Sequence, residues 1–300
     1  MIIDIHRHLW SLFERFPRVA DIAARAGNPM AKSERLPLVP DWEETGEKLI
    51  AEMDDSGVDI SVIFMADYAL RLGDGIFSAE GENRIHVELM RRYPDRLIAY
   101  FGIDPRRPGA ADSLQRAVDE GGVRGLKMHP TVGYFPHDRV AYPLYEICQA
   151  RGLPVTFHSG PMPSPLYSRF TEPFQFDDVA ADFPDMNIVL AHSGQDHWPE
   201  ALSVARSKPN VYLELSMWQP KWQYPDEFLF AIDRMRNTIG IERILWGSDF
   251  PGLRPYMSLK EWTDLFRRLP SLGEEYGYRF DDGDVDALLG GNSARLLDLT

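Results

Sequence analysis

Short apolar runs alternate with longer stretches of helical periodicity from one end of the chain to the other, and this alternation restricts the fold more than any other feature. Buried strands are predicted at Ile2–Ile5, Val58–Met65, Leu97–Ile103, Val123–Met128, Pro154–Phe157, Asn187–Ala191, Val211–Leu215 and Arg243–Trp246. Helices are predicted near Glu43–Ser56, Ser78–Tyr93, Gly109–Gly121, Val140–Arg151, Phe176–Phe183, Trp198–Lys208, Pro225–Ile239 and Ser258–Arg268. Strands separated by helices run parallel and are joined by right-handed crossovers. Eight such units in 300 residues match an α/β (β/α)8 barrel, for which about 250 residues is typical.

No linker or break in composition divides the chain, so residues 1–300 read as one domain. A doubly wound open sheet is the competing architecture, but no Gly-x-Gly-x-x-Gly turn follows the first strand. The formal net charge of −14 opposes nucleic acid and anionic membrane surfaces as partners, because both require basic footprints. The first residues lack a basic segment followed by a long apolar run, and no stretch is apolar enough to span a bilayer; a cytoplasmic location is the default expectation. With one cysteine, Cys148, there is no intrachain disulfide and no thiolate metal cluster, and a small buried apolar role is expected for it.

Four segments are longer than a barrel needs: Leu9–Trp42, His129–Arg139, Ser159–Gln175 and Ser216–Tyr224. All follow predicted strands, which places them at the carboxyl-terminal face where barrel active sites are built. Their aromatic, Met and Pro content fits a roof over a pocket, with residues 10–42 as a lid after the first strand. Tyr167, Arg169, Trp218 and Trp222 are expected to face that pocket, where rings would stack on a planar substrate; ordinary loop packing would use the same residues. Residues 285–299 read as a closing helix, and exposed aromatic loops fit a homodimer.

His6 and His8 stand two apart at the end of the first strand, so their side chains leave it on the same side. Neutral imidazole is the commonest metal ligand. His158 directly follows the fifth strand, His192 the sixth, and Asp249 lies just past the eighth. Eight histidines scattered at random would rarely place four immediately after three predicted strands. Three imidazoles and a carboxylate suit Zn²⁺ or a similar divalent ion, with one position left for water or substrate. Arg7 should point to the opposite side, into an ion pair away from the barrel centre. Asp4 is expected to support a ligand imidazole from behind, and His86, His137 and His197 to be solvated or to cap loops and helices.

The set His6-x-His8, His158, Ala191-His192-Ser193-Gly194 and Gly247-Ser248-Asp249-Phe250-Pro251 resembles the amidohydrolase superfamily, most closely the subgroup related to aminocarboxymuconate-semialdehyde decarboxylase. The ending Gly291-Asn292-Ser293-Ala294-Arg295-Leu296-Leu297 is similar to the closing helix of that subgroup. The resemblance implies one divalent ion, zinc foremost and manganese as another choice, held by His6, His8, His158 and Asp249. It places His192 beside the ion as the acid/base group; a supporting or core imidazole is the alternative. Water on such an ion has its pKa lowered toward about 7, and Asp249 and His192 are chemically able to shuttle its proton.

Some binuclear members of the superfamily carry a carboxylated lysine after the fourth strand, and Lys127 stands near that place; His192 would then be a ligand of a second metal. The subgroup is mostly mononuclear, so an unmodified Lys127 offering its ammonium to a substrate carboxylate or oxyanion is expected, with His129 on the same side. A lysine paired to a structural carboxylate and a histidine capping a loop is the competing reading. The function implied is a metal-dependent hydrolase acting on a small carboxylated lactone, amide or ester. Non-oxidative decarboxylation of an aromatic or unsaturated acid is the alternative, and a metal kept only for structure or sensing is a third reading.

Overall fold

The computed structural model describes residues 1–25, 27, 45–73 and 75–299. Among the described residues are nine strand segments: β1 (Ile3–Arg7), β2 (Ile60–Ile63), β3 (Leu97–Ala99), β4 (Phe101–Gly102), β5 (Leu126–Met128), β6 (Val155–His158), β7 (Ile188–Ala191), β8 (Val211–Glu214) and β9 (Ile244–Leu245). All pair in parallel, in the orders β1-β2-β3 and β4-β5-β6-β7-β8-β9. The segments β3 and β4 are one barrel strand that changes partner at Tyr100. The Tyr100 amide donates to Ile63 O at 3.0 Å, and the next amide, Phe101, donates to Gly125 O at 2.9 Å.

The remaining gap, between the last strand and the first, is crossed by Ile5 N to Trp246 O at 3.4 Å, Asp249 N to His6 O at 2.8 Å and His8 N to Phe250 O at 2.9 Å. Eight barrel strands therefore connect, and the architecture is a (β/α)8 barrel. Each predicted strand coincides with one of them. Apolar residues fill both sides of these strands, because in a parallel barrel the inside packs on itself and the outside is covered by helices.

The helices begin where local chemistry stops the chain from continuing as strand or loop. Ser78 caps Ala79–Arg92 through Gly81 N at 3.1 Å, and Ser258 with Glu261 forms a reciprocal box at the start of Leu259–Arg267. Such caps satisfy amides that have no partner within the first turn. The predicted helix at 43–56 is Glu47–Ser56 among the described residues; 43 and 44 lie outside them. Of the predicted lid, residues Leu12–Arg15 and Pro17–Arg25 are helical, while 26 and 28–42 lie outside the described residues.

The closing element runs through Asp282–Asp286, Ala287–Gly291 and Asn292–Leu296, with a wider turn in its middle. Ala294, Leu296 and Leu297 pack against Ile3, Ile5, Val62, Ile98, Val189 and Leu245, so this helix seals one end of the barrel. Each fully buried leucine there contributes roughly 1.5–3 kcal/mol. Asn292 ties it down by donating to Ile241 O and Ile244 O at 2.7 and 2.6 Å. Cys148 is buried in the main core, where burial pushes its thiol pKa up. Among the described residues, no helix is long and apolar enough to cross a membrane.

One irregularity bears on the site. Asp4 pairs with Ser61 but Arg7 pairs with Ile63, so three steps along β1 match two along β2. An extra residue of this kind is a β-bulge, which re-aims the side chains on either side of it. Arg7 ends in an ion pair with Glu52 beneath the face of Phe250, as its parity predicts.

Candidate metal centre

His6, within the bulge, and His8, just past the end of β1, turn their Nε2 atoms toward one oxygen. Asp249 Oδ1 lies 3.4 Å from His6 Nε2 and 3.2 Å from His8 Nε2. The opposite ring nitrogens face acceptors: His6 Nδ1 lies 3.1 Å from Glu214 Oε2, and His8 Nδ1 lies 2.9 Å from Phe64 O. A neutral imidazole with an acceptor at Nδ1 carries its proton there and leaves a lone pair at Nε2.

Three acceptor atoms thus converge within 4.8 Å of one another. Acceptors repel unless positive charge lies among them, and two imidazoles with a carboxylate, leaving a position free, are a donor set that suits a divalent cation. The field of the Glu214 and Asp249 carboxylates favours positive charge at this point. Burial and the Lys127 ammonium oppose charge on His6, but the Glu214 and Asp249 carboxylates outweigh them and hold its pKa above the ordinary value. Burial works against the Asp249 carboxylate, yet the facing His6 and His8 imidazoles keep its pKa well below the ordinary value. Burial brings His8 down to about 4 and His158 to about 3, so both are neutral imidazoles.

His158, at the end of β6, does not join the converging atoms directly. Its Nδ1 lies 3.1 Å from His192 Nε2, and its Nε2 is buried without a hydrogen-bond partner among the described residues. His192 follows β7 and turns Nδ1 to Ser216 Oγ at 2.8 Å; burial drives its pKa well below the ordinary value. Non-glycine residues with positive φ gather at this end of the barrel: His192 (63°), Ser193 (48°), Gln195 (56°), Met217 (60°) and Asp249 (55°). Such conformations cost energy and persist where surrounding contacts impose them.

Lys127 rises from β5 into the same space. Its Nζ lies 3.5 Å from His6 Nε2 and 4.7 Å from the centre of the Phe64 ring, so its polar contact is an imidazole rather than a carboxylate. Burial lowers its pKa to about 8, with Asp249 and Glu214 pulling the other way. His129 stacks on His158 with ring centres 4.2 Å apart and turns Nδ1 to Thr131 Oγ1 at 2.6 Å. These groups line one cavity of about 550 Å³, whose other walls include Trp10, Phe13, Tyr68, Met162 and Tyr256.

Several sequence expectations require correction. Arg169 is exposed, with its guanidinium over the Tyr167 and Phe170 rings, and is not part of the cavity wall. Trp218 is wholly buried and donates its indole N–H to His192 O at 2.9 Å, so it supports the strand end instead of touching the cavity. Trp222 packs on Phe228, and Tyr167 lies under Arg71. Asp4 touches no imidazole: past the bulge, its carboxylate accepts from His6 N at 3.2 Å and Ser248 Oγ at 2.6 Å. Burial pushes its pKa up to about 6 against the pull of Arg7. His86 is buried, not solvated, with Nδ1 2.8 Å from Glu82 O.

Two polar residues of the site were not expected, Glu214 and Ser216. The available signal was a carboxylate at the end of an apolar strand, in Tyr212-Leu213-Glu214-Leu215-Ser216, since a buried charge is expensive unless it is paired. Glu214 is fully buried and takes hydrogen bonds from His192 N at 3.1 Å, Ser216 N at 2.6 Å and Ser216 Oγ at 2.7 Å, besides facing His6.

Residues 3–299 match the family model described as amidohydrolase. An uncharacterized protein of Sinorhizobium fredii is 22% identical over 201 residues, a match covering 59% of this chain and 63% of that relative's length. A TIM-barrel protein of Bordetella bronchiseptica is similar over 99% of this chain and 98% of its own, with 24% identity and a TM-score of 0.71. An amidohydrolase of Burkholderia multivorans with bound zinc is similar over 99% of both chains, with 18% identity and a TM-score of 0.69. The 5-carboxyvanillate decarboxylase of Sphingomonas paucimobilis is similar over 100% of this chain and 99% of its own, with 17% identity and a TM-score of 0.67. At these identities the likeness establishes a shared fold.

Proposed function

The chain belongs to the amidohydrolase family, and from that premise we propose that it is a divalent-metal-dependent hydrolase acting on a small carboxylated lactone, amide or ester. The observation that carries this reading is the convergence of His6 Nε2, His8 Nε2 and Asp249 Oδ1 at the floor of a cavity wide enough for a small molecule. These three residues would hold the ion, with His158 as a fourth ligand; zinc, which the Burkholderia amidohydrolase binds, is the first choice. When bound, the ion would supply Lewis acidity toward a carbonyl oxygen and lower the pKa of water at the site.

The remaining chemistry falls to side chains. Asp249, held ionised, accepts the proton of the attacking water. His192, held neutral, takes that proton over from Asp249 at Nε2 and passes it to the leaving group. Lys127 places an ammonium beside His6, where it binds the substrate carboxylate or the oxyanion that forms on attack. His129 presents its outer edge to the same space.

A second reading, non-oxidative decarboxylation of an aromatic acid, is favoured by the rings of Trp10, Phe13, Tyr68 and Tyr256 round the cavity, against which a planar acid would stack. One experiment separates the two: turnover in ¹⁸O-labelled water with the headspace analysed for CO2. Hydrolysis places one ¹⁸O in the product and releases no CO2. Release of CO2 with unlabelled product would overturn hydrolysis in favour of the second reading.

A further inference from the structure

We infer that Glu214 is a positioning residue that fixes the tautomer of His6 and, through the Ser216 hydroxyl, orients His192. Four donors crowd one carboxylate. Oε2 faces His6 Nδ1 at 3.1 Å, His192 N at 3.1 Å and Ser216 Oγ at 2.7 Å, and Oε1 takes Ser216 N at 2.6 Å. The Ser216 hydroxyl has a single proton, and the short contact to Glu214 Oε2 claims it. Ser216 Oγ can then only accept from its other neighbours. His192 Nδ1, 2.8 Å away, must donate to it and to the Ser216 carbonyl oxygen at 3.3 Å, and His6 Nδ1 shares its proton between Glu214 and Ser216 Oγ, the latter at 3.1 Å.

Both rings therefore carry hydrogen at Nδ1, and each in its neutral form presents a lone pair at Nε2. For His6 that lone pair faces Asp249; for His192 it faces His158 Nδ1. The carboxylate is also held rigidly. A Cβ at Gly247 would come within 2.4 Å of Glu214 Oε1 and 2.8 Å of His6 Cβ, so only glycine at 247 leaves room for this pairing. A buried charge with four donors has no freedom to serve other partners.

A glutamine at 214 cannot reproduce the arrangement. Its amide has one oxygen, and with that oxygen at the Oε2 place its NH2 would oppose Ser216 N–H. Ser216→Ala removes the hydroxyl but leaves His6 Nδ1 facing Glu214 and leaves His192 Nδ1 the Ser216 carbonyl oxygen at 3.3 Å. The inference rests on His6 as a ligand of the proposed metal site, but its primary test uses metal-free protein. Histidine-selective ¹⁵N labelling and long-range ¹H–¹⁵N spectra should show His6 and His192 with hydrogen at Nδ1 in the unsubstituted chain. E214Q should release His6 from that tautomer, and Ser216→Ala should leave His6 in it while shifting the His192 Nδ1 resonance as its hydrogen bond passes to the Ser216 carbonyl.

Zinc titration of the same samples should show affinity reduced roughly 10- to 100-fold in E214Q, the usual effect of losing a partner behind a ligand, with Ser216→Ala close to the unsubstituted chain. His6 retaining its tautomer and zinc affinity in E214Q would overturn the inference. Where E214Q fails to fold, loss of the His6 tautomer in Ser216→Ala, which keeps Glu214 in place, would overturn it. The expected tautomer changes in a chain that takes up no zinc would support the positioning role and sink the metal reading instead.

Discussion

The indole N–H of Trp218 donates to the carbonyl oxygen of His192 across 2.9 Å, at a residue whose φ of 63° places it in the left-handed region. Trp218→Phe keeps the ring and removes the donor, leaving a buried carbonyl unsatisfied. The expected loss is about 1–3 kcal/mol of stability, read as a lower denaturant midpoint, with KM unchanged because the indole does not line the cavity. A raised KM at unchanged stability would put Trp218 in contact with substrate.

Asp249→Asn keeps the backbone bond from residue 249 to His6 O, and asparagine tolerates the φ of 55° found there. The fold should survive while the charge facing both imidazoles is lost. Metal retained per chain after dialysis should fall, and turnover should drop by roughly 10²–10⁴-fold, as expected when an acid–base group is removed. Near-normal turnover would remove Asp249 from the mechanism.

Lys127→Met substitutes an apolar chain of similar length beside Phe64, so folding should persist. Catalytic efficiency toward a carboxylated substrate should fall about 10²–10³-fold, the scale of removing one donor to a developing charge. A neutral analogue lacking the carboxylate should lose less. Equal losses for both substrates would assign Lys127 to oxyanion stabilisation rather than carboxylate binding.

His86 supplies a pH dependence away from the cavity. Burial lowers its pKa from 6.5 to about 3. Between those values the unfolded chain binds a proton that the folded chain does not, so stability is full above pH 6.5 and is lost as pH falls toward 3. The slope from this group is about 1.4 kcal/mol per pH unit. Denaturant titrations across that window should be shallower by this amount in His86→Gln, whatever its absolute stability; an unchanged slope would show that His86 is protonated in the folded protein.

Much of the fold was legible because a parallel barrel buries both faces of its strands, so each strand is an apolar run bounded by polar turns. The change of partner at Tyr100 was not, since a strand that serves two ladders has the same composition as one that serves a single ladder. His6 and His8 could be paired from the two-residue period of a strand, and His158, His192 and Asp249 from their places at strand ends.

Asp4 was misplaced because the bulge between Asp4 and Arg7 breaks the period on which its assignment relied. Trp218 and Arg169 were misplaced because the composition of a loop does not encode which side of it faces inward. Glu214 was missed because a carboxylate at a strand end reads as a solvent-facing residue until the donors around it are known.

The most direct test of the account is metal content per chain. The protein would be purified without added metal, then reconstituted with zinc or manganese and dialysed, with intact mass read on the same samples. The account predicts about one ion per chain, an unmodified mass and loss of the ion in Asp249→Asn. No ion retained even after reconstitution would contradict it. Two ions with a mass increase located at Lys127 would replace it with a binuclear site in which His192 is a ligand.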